Sequence, residues 1–478
     1  MRHWKRPLGI CLAFMGVHGM AADAGQQEGA MKGQKTTLAQ EAKSSKTASS
    51  RKKETFQFDI REHDIGLPHK VWFMPSDKPI VCASFIFMDA GAKNVNKTHP
   101  SLSEFLAPML KQGAGPYDRQ RLHELLYDSG AYIDFTVTFE HAKVGFWAPF
   151  ASYRQAVDLL MAMAMKPKLP RKHFEKLRNE LQIGFEESLK EAGTHLGEAW
   201  NASCYPDDHP RRVSLSQYKE DLKKIRVEDL REYLKLLSRE NVAIVVLGPR
   251  DHELEIVNDL KAVLGGLPEK PKETIVKSWN AQRKEDTRDV HVEFPVPQTM
   301  LAAWMPGFDE DDPDFCTKML VFNVVCGSSL QSLLYQEVRE KRGLAYYCYG
   351  RGCTSVKDPY FKISAGTQGK SLEEFKHVIR DIFAKVCREG IPQETFQNIK
   401  KELQSGELSH LDSTGSIVGY IAGRRSDGWS IKRIQEFSTN LEKVTYQHAN
   451  EVAKKMFTPE KLRFVDVGQT AQPSGQGG

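Results

Sequence analysis

IPQETFQNIKKELQ, residues 391–404, repeats LPRKHFEKLRNELQ, residues 169–182. The shared positions are Pro170/Pro392, Phe174/Phe396, Glu180/Glu402, Leu181/Leu403 and Gln182/Gln404. In each copy the proline stands just ahead of a helical run, where its missing N–H costs little. Such distant self-similarity marks a duplicated unit, and the flanks repeat as well. Upstream, each copy has a helical run ending at glycine: RQRLHELLYDSG (119–130) and QSLLYQEVREKRG (331–343). Two β-like stretches follow, 131–139 and 144–147 in the first copy, 345–350 and 360–365 in the second. A long helix comes next, 153–165 and 372–387. Each copy closes on a helix and a strand, the strands being NVAIVVL (241–247) and LRFVDV (462–467). This order is an α+β pattern. It predicts two homologous α/β-sandwich-like domains, each an antiparallel or mixed sheet covered by helices, related by internal duplication and closing as a clamshell around a cleft.

The chain has 478 residues, 40% of them apolar, and a formal charge of +5. That length gives room for two cores, and no concentrated basic face argues for nucleic acid. The expected divisions are an N-terminal domain over 56–266, a charged, proline-containing linker over 267–287, a C-terminal domain over 288–468 and a flexible tail over 469–478. Ahead of these, residues 1–24 read as an export signal. Arg2, Lys5 and Arg6 precede an apolar run over 8–20, and an A-x-A pattern ends at Ala24. The run is too short to span a bilayer, and no later stretch suits a membrane helix. The expectation is a periplasmic or secreted chain with no transmembrane anchor once the signal is cleaved. Residues 25–55 are Lys- and Ser-rich with no aromatic, the composition of a disordered arm. Seven cysteines remain after the signal: Cys82, Cys204, Cys316, Cys326, Cys348, Cys353 and Cys387. None forms C-x-x-C. They read mainly as small buried hydrophobes, with one disulfide possible but unassignable.

Residues 326–350 carry the most specific signal, CGSSLQSLLYQEVREKRGLAYYCYG. A small-residue turn leads into a short helix, then Arg339-Glu340-Lys341-Arg342-Gly343-Leu344-Ala345-Tyr346, then a strand. This block resembles the second-domain hallmark of the pitrilysin/insulinase family of zinc peptidases, which includes the mitochondrial processing peptidases. The resemblance covers roughly residues 57–468 in layout. It implies that Arg339 and Tyr346, seven residues apart, bind the substrate backbone and help stabilise the developing oxyanion. The residue types suit that role: arginine offers a permanently charged fork of donors and tyrosine a neutral O–H on a rigid ring. Arg342 has the wrong spacing to Tyr346. Outside this block, a helix rich in Glu, Arg and Lys would be read simply as a solvated face.

The family's other hallmark is missing. Active members carry H-x-x-E-H on a first-domain helix: two histidines one turn apart bind zinc and the glutamate activates water. The corresponding stretch here is PSLSEFLAPMLK, residues 100–111. Aligned on Met109-Leu110, it puts Glu104 at the first histidine, Ala107 at the catalytic glutamate and Pro108 at the second histidine. Alanine cannot polarise water, proline has no donor atom for a metal, and Pro108 argues against a regular helix through this point. Glu186 or Glu187 is a candidate for the family's distal glutamate ligand, but these carboxylates make a poor zinc site. His123-Glu124 and Glu140-His141 mimic fragments of the motif without completing it. His195 and His209 have no ligand partner at helical spacing.

The expectation is therefore a chain with no catalytic residues and no metal or other cofactor of its own. It would be the non-catalytic, substrate-binding subunit of a heterodimeric zinc metallopeptidase, with zinc in a homologous HxxEH-bearing partner. Arg339 and Tyr346 would grip unfolded or short peptides at the partner's metal. The alternatives are a stand-alone peptide-binding, chaperone-like module or a structural scaffold with no role in proteolysis.

Overall fold

A computed structural model describes residues 58–95, 98–269, 288–354 and 359–469. The export signal and the polar arm lie outside the described residues, as do most of the linker and nearly all of the tail.

The N-terminal half builds β1 (Arg61–His63), β2 (Val71–Ser76), β3 (Ile80–Phe87), the short pair β4 (Gly113–Ala114) and β5 (Tyr117–Asp118), then β6 (Tyr132–Val137), β7 (Ala142–Pro149) and β8 (Val242–Pro249). The C-terminal half builds β9 (Val290–Glu293), β10 (Gln298–Pro306), β11 (Ala345–Cys353), β12 (Tyr360–Gln368) and β13 (Arg463–Gly468). One sheet runs β1-β2-β8-β3-β7-β6 and the other β11-β12-β10-β13-β9. Leaving out β1, the two sheets share one topology. The first strand lies parallel to the last, β2 on β8 and β9 on β13, and the remaining neighbours are antiparallel. The fold is thus mixed α/β, and β6 and β11 occupy equivalent edges.

Both faces of the central strands are covered, which explains the unbroken apolar run at 242–247. Val242, Ile244 and Val246 of β8 point into one core, with Val71 and Phe73 of β2. Ala243, Val245 and Leu247 point into another, with Trp72 and Met74. A half-buried strand would alternate with polar residues; this one has no solvent side to carry them.

The first core lies under N-terminal helices that include Tyr153–Met165 and Arg171–Ser188. The second joins the far face of the first sheet to C-terminal helices, among them Phe315–Cys326 and Leu372–Glu389. Helix Thr414–Ser426, from the C-terminal half, packs on β3 and β8 of the N-terminal half. In return helix Ala192–Cys204, from the N-terminal half, covers the outer face of the second sheet. There Leu196 and Trp200 meet Ala302, Trp304, Val465 and Val467. Each half thus lends a helix to the other's sheet, and apolar packing fills the space between them.

The cysteines behave as small core residues. Cys82, Cys204, Cys326 and Cys348 are buried, Cys316 and Cys387 are half-buried, and all six are unbridged.

Candidate functional site

The segment from Ser332 to Tyr346 is built to hold two side chains outward. The Ser332 hydroxyl accepts the Tyr335 N–H at 3.3 Å and starts one α-helical turn, Leu333–Tyr335. The backbone then widens into a π turn, Gln336–Glu340, in which the Lys341 N–H reaches back five residues to the Gln336 carbonyl at 3.0 Å. Such widened turns recur at functional sites. Leu334 and Val338, both fully buried, fasten the inner side to the core. Gly343 ends the segment at φ +60°, a left-handed conformation that suits glycine. Its N–H bonds the Arg339 carbonyl at 3.1 Å, and the Leu344 N–H bonds the Val338 carbonyl at 2.9 Å.

β11 begins at once, with a bulge. Ala345 pairs with Thr367 and Tyr347 with Gly366, so Tyr346 is the extra, unopposed residue. A bulge re-aims the side chain it carries, and Tyr346 stands 74% exposed. Arg339, also exposed, brings its guanidinium carbon to 5.7 Å from the Tyr346 ring centroid and 5.1 Å from that of Tyr335. Sequence spacing paired Arg339 with Tyr346, and the fold brings them together. Tyr335 was missed, although its place four residues before Arg339 puts it on the same helical face.

The charges nearby are sorted. Glu337 takes both Lys341 and Arg342, each at 2.5 Å. Those two hydrogen bonds, Lys341 first, hold its carboxyl below the usual range. Among the described residues no acid pairs with Arg339.

Glu104, Ala107 and Pro108, the positions that the sequence alignment set against the zinc motif, lie in helix Ser103–Leu110 of the N-terminal half. Here the sequence expectation needs correcting, because the helix runs straight through Pro108. An interior proline costs about 3 kcal/mol. Phe105, Leu106, Met109 and Leu110, each at most 2% exposed, bury against the core and return roughly 1.5–3 kcal/mol apiece. Tertiary burial therefore outweighs the lost backbone bond.

Glu104 faces inward and accepts a hydrogen bond from the Tyr218 hydroxyl at 2.5 Å. Its Oε2 is sealed from solvent without a partner. Burial pushes its carboxyl up to about 8 against the pull of the Tyr218 bond, so it is largely protonated at neutral pH. Ala107 packs against the core. Glu186 and Glu187 face solvent, paired with Lys219 at 2.7 Å and Lys190 at 2.9 Å. A protonated acid, an alanine, a proline and two lysine-bound surface carboxylates do not fit zinc. Among the described residues no cluster of three or more His, Cys, Asp or Glu side chains is placed to hold a metal ion.

The other four histidines singled out in the sequence lie apart from the Arg339–Tyr346 pair in sequence, each in its own local setting. His123 and Glu124 lie on an exposed helix, with Glu124 bound by Gln120 and Arg121. His141 is buried beside Glu140, which pairs with Lys93 and Arg211. His195 bonds the Leu189 carbonyl at 2.9 Å, and His209 stacks on Tyr205 at 4.3 Å.

Residues 224–403 match the model of the peptidase M16 inactive domain. A protein of Bacillus subtilis named as an uncharacterized zinc protease, YmxG, is 23% identical over 382 residues, spanning 78% of this chain and 90% of its own length. A Helicobacter pylori protein named as a non-peptidase homolog is 20% identical over 390 residues, 79% of this chain and 86% of its own. In fold, the peptidase M16 inactive domain from Pseudomonas fluorescens superposes with a TM-score of 0.74 at 21% identity, covering 87% of this chain and 98% of that one. The periplasmic protease PqqL of Escherichia coli gives 0.73 at 16% identity, over 89% of this chain and 47% of that one. Over residues 224–403 the chain is thus similar to the peptidase M16 inactive domain, and over most of its length it shares the fold of the M16-type structures compared.

Proposed function

We propose that this chain is the non-catalytic, peptide-binding subunit of a two-chain zinc peptidase. In this reading Arg339 and Tyr346 reach the scissile carbonyl of a peptide held at the HxxEH site of a homologous partner. The observation that carries the reading is the pairing of an exposed arginine, without an acid partner, with a tyrosine lifted out of its strand by a bulge. A solvated structural helix gains nothing from either feature, whereas a carbonyl or oxyanion needs donors that are not already committed.

The interlocked packing of the two halves bears on where the peptide lies. Apolar contacts fill the space between the two halves, where the sequence led us to expect a clamshell cleft; in this reading the peptide is instead held between this chain and its partner. β6 and β11 end their sheets, and an extended peptide can add to such an edge through backbone hydrogen bonds. An enclosed cleft would admit short or unfolded peptides. The export pattern over residues 1–24 favours a pair in the periplasm or outside the cell, and in this reading zinc belongs to the partner.

The test is reconstitution. Tagged protein is used to capture an HxxEH-bearing chain from an extract of its own cells, and the pair is assayed on a fluorescence-quenched unfolded peptide. Neither chain alone should turn it over. Arg339→Ala should leave assembly intact and lower turnover about a hundredfold, the scale of losing an oxyanion donor, with a smaller loss for Tyr346→Phe. Wild-type rates from both variants would refute the assignment. So would one tightly bound zinc per isolated chain.

A further inference from the structure

We propose that Tyr335 is a positioning residue for Arg339: with Tyr346 it forms a two-ring cradle that holds the guanidinium while leaving its N–H donors for a bound peptide. The inference deepens the peptide-binding reading of Arg339 and rests on it. Both rings lie within the roughly 6 Å over which a cation is drawn to an aromatic face, at 5.1 Å for Tyr335 and 5.7 Å for Tyr346. Attraction to a ring face uses the charge and the flat face of the guanidinium. A carboxylate would hold the same group by occupying its N–H fork and would cancel its charge. An arginine meant to meet a neutral carbonyl is better held by rings than by an acid.

The surroundings fit this division. Glu337, two residues away, is the nearest carboxylate in sequence that could capture Arg339 from within the turn, apart from exposed Glu340. Lys341 and Arg342 both bind it. Tyr335 is itself only partly exposed. Its backbone N–H is fixed by Ser332, and buried Leu334 anchors the same turn. One side of the cradle is therefore rigid, while Tyr346, on the bulge, forms the outer side.

The experiment separates this inference from the reading beneath it. The Arg339 Nε–Hε resonance of the full chain, assigned by its disappearance in Arg339→Lys, should carry a ring-current shift. Tyr335→Phe should keep that shift. Tyr335→Leu and Tyr335→Met, which keep apolar bulk without a ring, should lose most of it. In parallel, affinity for a fluorescein-labelled unfolded casein peptide should be unchanged in Tyr335→Phe and about tenfold weaker in the ringless variants. An Arg339 resonance that ignores the loss of the Tyr335 ring overturns the cradle, whatever the peptide does. Unaltered peptide affinity in Arg339→Ala overturns the binding role of Arg339 itself, whatever the resonance does.

Discussion

Tyr218 donates its hydroxyl hydrogen to Glu104 across 114 residues of sequence, on the helix whose sequence was aligned with the zinc motif. Phe185 stacks on the Tyr218 ring at 5.1 Å, which seats the donor of this bond in the first core. Glu104 is half-buried, with its Oε2 sealed from solvent, beside the aromatic packing of the first core.

Stability should record that change. The Glu104 carboxyl titrates at about 8 in the folded chain, raised mainly by burial, and near 4.3 when unfolded. Between these values the unfolded chain is the form that has lost the proton, so stability falls as pH rises through this window. Glu104→Gln keeps the shape and cannot ionise. Relative to wild type, the variant should gain about 3–4 kcal/mol between pH 5 and pH 8. Urea midpoints at both pH values measure it. An unchanged difference between the proteins would mean that the carboxyl is not held protonated.

Gly343 sets the angle between Arg339 and Tyr346. A Cβ there would meet nothing within 4 Å, so the cost of Gly343→Ala comes from the backbone alone. At φ +60° that is about 1–2 kcal/mol. Gly343→Asn should cost less, because asparagine tolerates this region. Denaturant midpoints should rank the three residues Gly, Asn, Ala. Equal losses for Asn and Ala would point to a steric cause instead.

Gly350 is the contrasting case. Its φ is ordinary, but a Cβ there would lie 2.5 Å from the Cys326 carbonyl oxygen and 3.0 Å from Cys326 Sγ and a Phe322 ring carbon. β11 lies directly on the end of helix Phe315–Cys326, and only hydrogen fits between them. Gly350→Ala should cost about 3 kcal/mol through overpacking, measured by thermal or urea unfolding. A neutral effect would show that the strand can move off the helix.

Which of these features the sequence disclosed follows from how far each depends on distant residues. The Arg339–Tyr346 spacing and the substitutions at 104, 107 and 108 are local and can be read directly. The repeated segments led us to expect two similar sheets, because the 391–404 stretch keeps five of the fourteen side chains of the 169–182 stretch, and the two observed sheets share a strand order. The bulge at Tyr346 is not local: it arises because Ala345 registers with Thr367 and Tyr347 with Gly366. The helix through Pro108 was misread because propensity counts the missing N–H and cannot count the burial of Phe105 and Leu110. The crossed helices were hidden for a related reason. Amphipathic periodicity says that Ala192–Cys204 has an apolar face, but not which of two similar sheets it covers.

Arg425, from that exchange, gives the last prediction. It leaves helix Thr414–Ser426, donates to the Ile244 carbonyl at 2.6 Å and to the Lys70 carbonyl, and lies 4.3 Å over the Trp72 ring. Burial pushes its guanidinium down to about 10, against the pull of Glu62, so it remains charged at neutral pH. Its planar fork meets the Ile244 carbonyl of β8 and the Lys70 carbonyl just ahead of β2 while its flat face lies over Trp72, a combination that the point charge of a lysine does not reproduce. Arg425→Lys should therefore destabilise the chain nearly as much as Arg425→Met, by about 2 kcal/mol, as buried carbonyls lose their donors. Arg425→Met should also loosen one half from the other, because the contact joins them. Limited proteolysis of the variant should cut within 250–290, between the two sheets, faster than in wild type. If cleavage there is unchanged while overall stability falls, Arg425 supports only its own helix and does not latch the halves together.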